Sequence, residues 1–301
     1  MKIAVVGLKY FGTRICTHLN ELDRKNQYIF FDTYYSYKDR LKFLLLLPFI
    51  RTVYSINGTI QKSLVISISI FLKKRVVFHW VGSDLIQAKK DFKTNQYNPK
   101  FIRKPIHLTD TPWYIDELKS MGIEAQFISL TPIKADDATA AFSQKFSVLT
   151  YISQSDPEFY GLSRILEIAS ELKNVHFFIA GLVKTDKIIP ENITLMGWVK
   201  NMDEAIANSM VSIRIPEHDG LSSFVLESLK NERYVIYNKA YSHCNFVSDN
   251  KSVIDSIRSF VDQFERGVLS PNVEGRAFVV DNFSKKTVVQ SLIFALTNKM
   301  N

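Results

Sequence analysis

A short apolar run, a turn and then a stretch of helical period recur along almost the whole chain, and few folds accommodate that rhythm. In the first half, residues 3–6, 28–31, 52–55, 76–80 and 125–129 read as strands. Residues 13–22, 61–74 and 113–121 read as helices between them, the last closed by Gly122 as a left-handed C-cap. Alternating strand and helix predicts a parallel, doubly wound sheet. A polar stretch, IKADDATAAFSQ, interrupts the rhythm at residues 133–144, and a second alternation follows. There residues 146–152, 175–180, 193–196, 211–215 and 234–237 are the strands, and 162–172, 202–208 and 224–230 the helices. The expected organisation is an α/β chain of two Rossmann-like domains facing across a cleft. Residues 1–132 form the first domain, 133–145 a linker, 146–284 the second domain and 285–301 a C-terminal helix. Ligands of such sheets sit at the carboxyl ends of the strands.

The first strand runs into VGLKYFG, close to the glycine fingerprint of dinucleotide sites. Gly7 and Gly12 occupy the outer glycine positions, but Lys9 stands where the middle glycine lets a pyrophosphate approach the backbone. Asp32, ending the second strand, would suit a ribose diol and keeps an NAD reading in play, yet no hydride-transfer constellation follows. The alternatives are a tight loop with Lys9 meeting an anionic group and a loop that only packs its helix on the sheet.

Charge divides along the chain. Residues 1–130 carry 20 Lys and Arg against 10 Asp and Glu, so the net charge of +8 resides in the first half. Such asymmetry implies a polyanionic partner for the first domain or merely solvated helix faces. Two apolar segments, LKFLLLLPFI at 41–50 and SLVISISIFL at 63–72, are too short to span a bilayer. Lys38, Arg40, Lys42 and Arg51 flank the first, and Lys73, Lys74 and Arg75 follow the second. Each reads either as an interfacial segment on an anionic leaflet or as a buried crossover helix. No aromatic–basic platform for nucleic acid accompanies them. Cys16 and Cys244 stand far apart, outside any metal-ligand or disulfide pattern, as in a cytoplasmic chain. The N-terminus lacks a signal-peptide pattern.

The richest chemistry lies in VSIRIPEHDGLSSFVLESLKNERYVIY, residues 211–237. A strand, a polar loop and a helix follow one another there, with Asp219 and Glu227 eight apart across the loop–helix junction. The Gly-Leu-Ser-Ser turn presents helix N-terminal amides to an anion. Two carboxylates beside it suit vicinal hydroxyls. Phosphate between diol receptors describes a nucleotide-sugar pocket. The bland readings of the pair are an Asx-turn and a helix-surface carboxylate.

This block resembles the E-x7-E region of GT-B glycosyltransferases of family 4, with Asp219 at the first glutamate and Glu227 at the second. HDGLSxxVLExL is similar to a subgroup with Asp in that place. FSVLTYISQSDPEFYGLSRILEIASEL, NVHFFIAG and NITLMGWVKNMDEAIANS agree, and HWVGSDL (residues 79–85) looks like the cleft loop of the first domain. The resemblance implies a GT-B fold and a retaining, metal-independent transfer with no cofactor, from a nucleotide-diphospho-sugar, and the cationic apolar segments make a saccharide or lipid-linked saccharide the expected acceptor. It implies that Glu227 binds the ribose, that Asp219 holds hydroxyls of the transferred sugar, and that Gly220, Leu221 and Ser222 face the donor phosphates or the sugar. Gly197, Trp198 and Val199 would border the base. Cell-envelope glycan synthesis in the cytoplasm, at the inner face of the membrane, is the expected setting.

The chain also departs from that pattern. The family's Arg/Lys pair for the leaving diphosphate is missing from SQSDPEFYG, where Tyr160 stands near the lysine position. Arg214 is the candidate replacement, with a salt bridge to Glu217 as its alternative. The family's cleft histidine falls on Val81, so His79, two residues earlier on the same strand face, and His218 are the histidine candidates. Gly82, Ser83 and Asp84 close the first-domain loop, where Ser83 and Asp84 either approach the acceptor or cap a helix. Loss of the cationic pair also leaves open a non-catalytic nucleotide-sugar-binding protein.

Overall fold

A computed structural model describes residues 1–134 and 145–298. Most of the expected linker, residues 135–144, lies outside the described residues. The chain divides into two compact units, Met1–Pro132 with Phe283–Asn301, and Ile133–Asn282.

The first unit runs β1 (Lys2–Gly7), α1 (Lys9–Leu22), β2 (Gln27–Phe31), α2 (Tyr37–Leu46), a 3-10 turn (Leu47–Phe49), β3 (Ile50–Ile56), α3 (Leu64–Phe71) and β4 (Arg75–Trp80). It continues through α4 (Ser83–Lys93), α5 (Pro99–Arg103), β5 (Ile106–Thr109), α6 (Tyr114–Lys119) and β6 (Ala125–Phe127). The second unit runs β7 (Ser147–Tyr151), α7 (Leu162–Glu171), β8 (His176–Ala180), β9 (Ile193–Gly197), α8 (Met202–Ala207), β10 (Val211–Arg214), α9 (Ser223–Lys230), β11 (Tyr234–Tyr237) and β12 (Cys244–Phe246). Three helices end the chain, α10 (Asn250–Glu265), α11 (Val273–Phe283) and α12 (Lys285–Thr297).

Each unit holds a six-stranded sheet, ordered β2-β1-β3-β4-β5-β6 in the first and β12-β11-β10-β7-β8-β9 in the second. Every pairing is parallel. The strand order reverses between β1 and β3, and again between β7 and β10. Loops leaving the carboxyl ends of those neighbours diverge and open a crevice.

The continuous apolar run of β1 follows from burial on both faces. Ile3 and Val5 join a cluster with Ile15, Leu19, Tyr54, Val77 and residues of α12. Ala4 and Val6 join Phe31, Phe43, Leu47, Val53, Ile66 and Phe78 on the other face. In the second unit, Val148 and Leu149 divide between two clusters in the same way.

The C-terminal helix is part of the first unit. Val288, Val289, Leu292 and Leu296 of α12 are buried against the β1–β3 face. Arg75 Nη2 donates to the carbonyl of Ala295 at 2.7 Å, and Lys285 pairs with Glu21 of α1.

Several boundaries differ from the sequence expectation. The helix foreseen over 61–74 is the shorter α3, because Ser63 caps it and accepts from Ile66 N. Lys73, at φ 53°, turns the chain out after it. β6 stops at Phe127 because the amide of Leu130 turns to the carboxyl of Asp110.

Candidate functional site

The loop after β10 leaves the sheet at the β7/β10 reversal and is organised around a buried ion pair. Arg214, the last residue of β10, donates from Nε and Nη2 to the two carboxylate oxygens of Asp219 at 2.8 and 2.6 Å. Both side chains are only 7 % exposed. The Tyr237 hydroxyl, from the end of β11, lies 3.0 Å from Asp219 Oδ2 and 3.2 Å from the carbonyl oxygen of Gly220. The ring of Tyr160 lies 4.9 Å beneath the guanidinium. Burial pulls the Arg214 pKa down, but the bidentate carboxylate outweighs it and leaves the pKa above its usual value. Burial and the charge of Asp219 hold the Tyr237 hydroxyl well above the usual phenol range. The arrangement is a fork-to-fork pair stacked on an aromatic face, in which the groups stabilise one another while shielded from water.

The structure therefore sets Asp219 and Arg214 on each other. The sequence expectation puts Asp219 on a sugar hydroxyl and Arg214 on a diphosphate or on Glu217. Glu217 is exposed, and its N–H donates to the carbonyl of Phe159. What the pair does locally is fix the loop that starts α9. Leu221 is buried behind it at 4 % exposure, and Ser222 is the N-cap, its carbonyl accepting from Val225 and Leu226. The N-terminal turn of α9, ahead of those bonds, is the positive end of the helix dipole. Glu227, half-buried, lies one turn beyond the exposed Ser223 on the same helix face. His218 is half-buried in the loop.

Neighbouring loops are tied to this one. Gly161 N-caps α7 at φ 88°, and a side chain there would crowd the carbonyl of Ile215. Gly197 ends β9 at φ 63°, with its N–H on Leu182 O and its carbonyl accepting from Gly181. Val199 packs against Leu149, Ala180, Ile206 and Phe224, whereas Trp198 is 82 % exposed. Sequence reasoning missed Tyr237 and Gln154. Gln154 Oε1 accepts from Val183 and Lys184 N–H, and its Nε2 donates to Lys184 O at 3.1 Å. It locks the loop after β7 to the loop after β8, which brings the exposed cation Lys184. A glutamine inside SQSDPE carries no local signal of that role.

The first unit has its own crevice, at the β1/β3 reversal. A cavity of about 370 Å³ is lined by Gly7, Tyr34, Arg40, Asn57, Lys62 and Asp84, among others. Gly7 has φ 105°, and any side chain there would run into the Ile56 carbonyl, so this glycine serves the close approach of β1 to β3. Gly12 admits the ring of Phe30 against α1. Lys9 pairs with Asp32 at 3.8 Å, and Asp32 Oδ1 accepts from Tyr35 N in the turn after β2. The near-fingerprint is thus a packing loop with an ion pair beside it. Arg40 holds the same turn through the carbonyls of Thr33 and Tyr34 at 2.6 Å each.

Asp84 is a buried hub. Its carboxylate accepts from the N–H of Gly58, Gly82, Leu85 and Val81 at 2.6 to 3.1 Å. Gly82, at φ 139°, is the N-cap of α4, and Ser83 is its first, exposed residue. The expected Ser-Asp cap is thus displaced by one residue, because the carboxylate of Asp84 folds back onto the loop. His79 is fully buried, with Nδ1 2.7 Å from the Tyr54 hydroxyl, and burial pushes its pKa to about 3. A neutral core histidine in that position braces two strands. Asp110 is also buried, accepting from Leu130 N at 2.5 Å, and desolvation raises its pKa to about 7. Among the described residues no three His, Cys, Asp or Glu side chains converge as metal ligands.

No family model matches the chain, and no curated protein does. Solved structures do. Sucrose-phosphate synthase from Thermosynechococcus elongatus superposes with a TM-score of 0.70 at 8 % identity, over 98 % of each chain. WaaG, a glycosyltransferase involved in lipopolysaccharide biosynthesis, gives 0.61 at 10 % identity over 98 % of this chain and 100 % of its own. Staphylococcus aureus TarM, solved with UDP, gives 0.58 at 11 % identity. The match to TarM covers 82 % of this chain but only 55 % of TarM. Two doubly wound parallel sheets in tandem, superposing over nearly their whole length on solved glycosyltransferases, give this chain the GT-B fold.

Proposed function

We propose that the chain is a glycosyltransferase of the family-4 type, moving a hexosyl group from a nucleotide-diphospho-sugar to a saccharide or lipid-linked saccharide. The observation that carries this reading is the buried Arg214–Asp219–Tyr237 clamp, which presents the start of α9 at the β7/β10 reversal. A loop held that firmly offers pre-aimed amides, so the donor phosphates meet oriented dipoles without reorganising the protein. Asp219 then acts by positioning Gly220, Leu221 and Ser222, and Glu227 accepts the ribose hydroxyls. Arg214 acts through the same clamp, by holding the Asp219 carboxylate in place. Lys184, whose backbone Gln154 grips, is the exposed cation for the departing diphosphate. His218, Tyr160 and the segment Gly197, Trp198 and Val199 border the donor. The cavity at Gly7, Arg40, Asn57 and Asp84 holds the acceptor. Transfer proceeds without a metal and with retention, in cell-envelope glycan synthesis at the inner face of a membrane.

Thermal unfolding in the presence of UDP-, GDP-, ADP-, CMP- and dTDP-sugars tests the donor site, with UDP-sugars first because TarM was solved with UDP. A true donor at 100 times its Kd stabilises the chain by about 2.7 kcal/mol, and Glu227→Ala abolishes that ligand-dependent gain, read against the variant's own unliganded melt. Product analysis then separates the reaction classes: sugar carried to an added acceptor supports transfer. A nucleotide sugar bound but never consumed, or altered without an acceptor, overturns it.

A further inference from the structure

The helices on one face of the first sheet leave a surface that the fold itself does not use. α2, the 3-10 turn after it and α3 pack inward on one apolar cluster through Phe43, Leu47 and Ile66. Lys74, just past α3, donates from Nζ to the carbonyl of Pro48 at 2.9 Å, fastening that end to the 3-10 turn after α2. Their outward residues are also apolar. Leu41 and Leu45, one turn apart on α2, are 52 % and 68 % exposed, and Phe49 follows at 70 %. On α3, Leu64 and Phe71, two turns apart, are 68 % and 82 % exposed. A surface helix ordinarily turns charge outward. Single exposed leucines are commonplace, but paired stripes on adjacent helices mark a contact surface.

The charge around these stripes names the partner. Residues 33–83 contain eight Lys and Arg, of which Arg75 is drawn away to α12, and one acidic residue, Asp39, whose carboxylate already accepts from Asp32 N. Lys38 and Lys42 lie along α2, Arg51 opens β3 and Lys73 follows α3, all exposed. Tyr35 and Tyr37 stand out at 87 % and 79 % exposure. Aliphatic stripes, exposed tyrosines and an almost unbroken set of cations are what an anionic lipid surface selects. A protein partner would more commonly be met by charges of both signs. No helix among the described residues is long and apolar enough to cross a membrane.

We propose that the α2–α3 face docks on the surface of an anionic phospholipid bilayer. Leu41, Leu45, Phe49, Leu64 and Phe71 enter the acyl boundary, while Lys38, Lys42, Arg51 and Lys73 meet headgroup phosphates. The inference goes beyond the transferase reading by assigning the surface, and it does not depend on turnover. The same helices line the first unit's cavity through Arg40, Leu44, Leu64 and Ile66. Docking therefore sets that cavity beside the headgroup layer, where a lipid-linked saccharide would be found.

The test is co-sedimentation of the full chain with phosphatidylcholine vesicles and with mixed phosphatidylcholine–phosphatidylglycerol vesicles, at low and high salt. The chain is expected to partition onto the mixed vesicles and to be released by salt. Lys38→Gln and Lys42→Gln are expected to lower that partitioning about fivefold for each cation removed. Leu45→Ser with Phe71→Ser is expected to lower it at least about tenfold. All four positions are exposed, so unfolding temperatures should stay at the wild-type value, which separates lost docking from lost fold. Equal partitioning onto both vesicle types, or binding indifferent to these substitutions, overturns the proposal. So does a wild-type dimer that Phe71→Ser converts to monomer while vesicle binding is absent, since the face would then belong to a second copy.

Discussion

At the scale of single residues, a buried ion pair and a buried carboxyl make opposite predictions. Arg214 and Asp219 neutralise each other out of water, so removing one strands the other. Arg214→Ala is expected to destabilise the chain by about 3–5 kcal/mol, whereas Arg214→Met with Asp219→Leu should cost far less, because nothing charged remains buried. Urea unfolding of Arg214→Met, Asp219→Leu and the double variant measures this, and additive costs would show the pair to be uncoupled. Asp110 works the other way, its folded pKa of about 7 standing above the unfolded value of about 3.9. Between those values the folded state keeps a proton that the unfolded state has lost, so this group's contribution to stability falls as pH rises to about 7 and is constant above. His79 and His107, held at about 3 and about 4, lose stability as pH falls below about 6.5. Asp110→Asn leaves both histidines in place and removes only the carboxyl. Its advantage over wild type should be negligible near pH 4 and reach up to about 4 kcal/mol by pH 8 in parallel melts. A constant difference across that range would mean that Asp110 is ionised throughout.

At the scale of elements, legibility followed the length and periodicity of each segment. β1 was readable because a buried parallel strand is a continuous apolar run between turns, and α7 because its apolar period fills one face. β5 and β12 were not, since four residues after Pro105 and three after His243 are too few to show a period. The candidate site divided along the same line. Its loop–helix junction was legible from Asp219 to Glu227, because a polar turn between a strand and a helix is a local pattern. The partners within it were not. Arg214 and Asp219 are five residues apart, but their bond depends on how the loop folds back, and Tyr237 reaches them only through the β10–β11 pairing. In the first unit, glycines that resemble a phosphate loop serve strand and ring packing instead, because Gly7 and Gly12 face Ile56 and Phe30. A glycine in sequence marks a close approach without saying what approaches.

At the scale of the whole chain, the last helix completes the core of the first sheet. α12 lies more than two hundred residues beyond β1 in sequence, yet Val289, Leu292 and Leu296 are fully buried in the cluster that holds Ile3 and Val5. The first unit is therefore a product of both ends of the chain, and the second is inserted between them. Stability of the N-terminal sheet must then respond to the C-terminal sequence. Leu292→Ala is expected to cost about 2–5 kcal/mol through lost transfer energy and the cavity left behind. The loss should also have an address. Amide exchange should quicken in β1 and β3, which contact that cluster, while β7 and β10 in the second unit keep their protection. If all four strands lost protection equally, the two units would unfold as one cooperative block. If only α12 itself opened, the helix would be an ornament on a core already complete without it, and the burial of Ile3, Val5 and Tyr54 would owe nothing to the end of the chain.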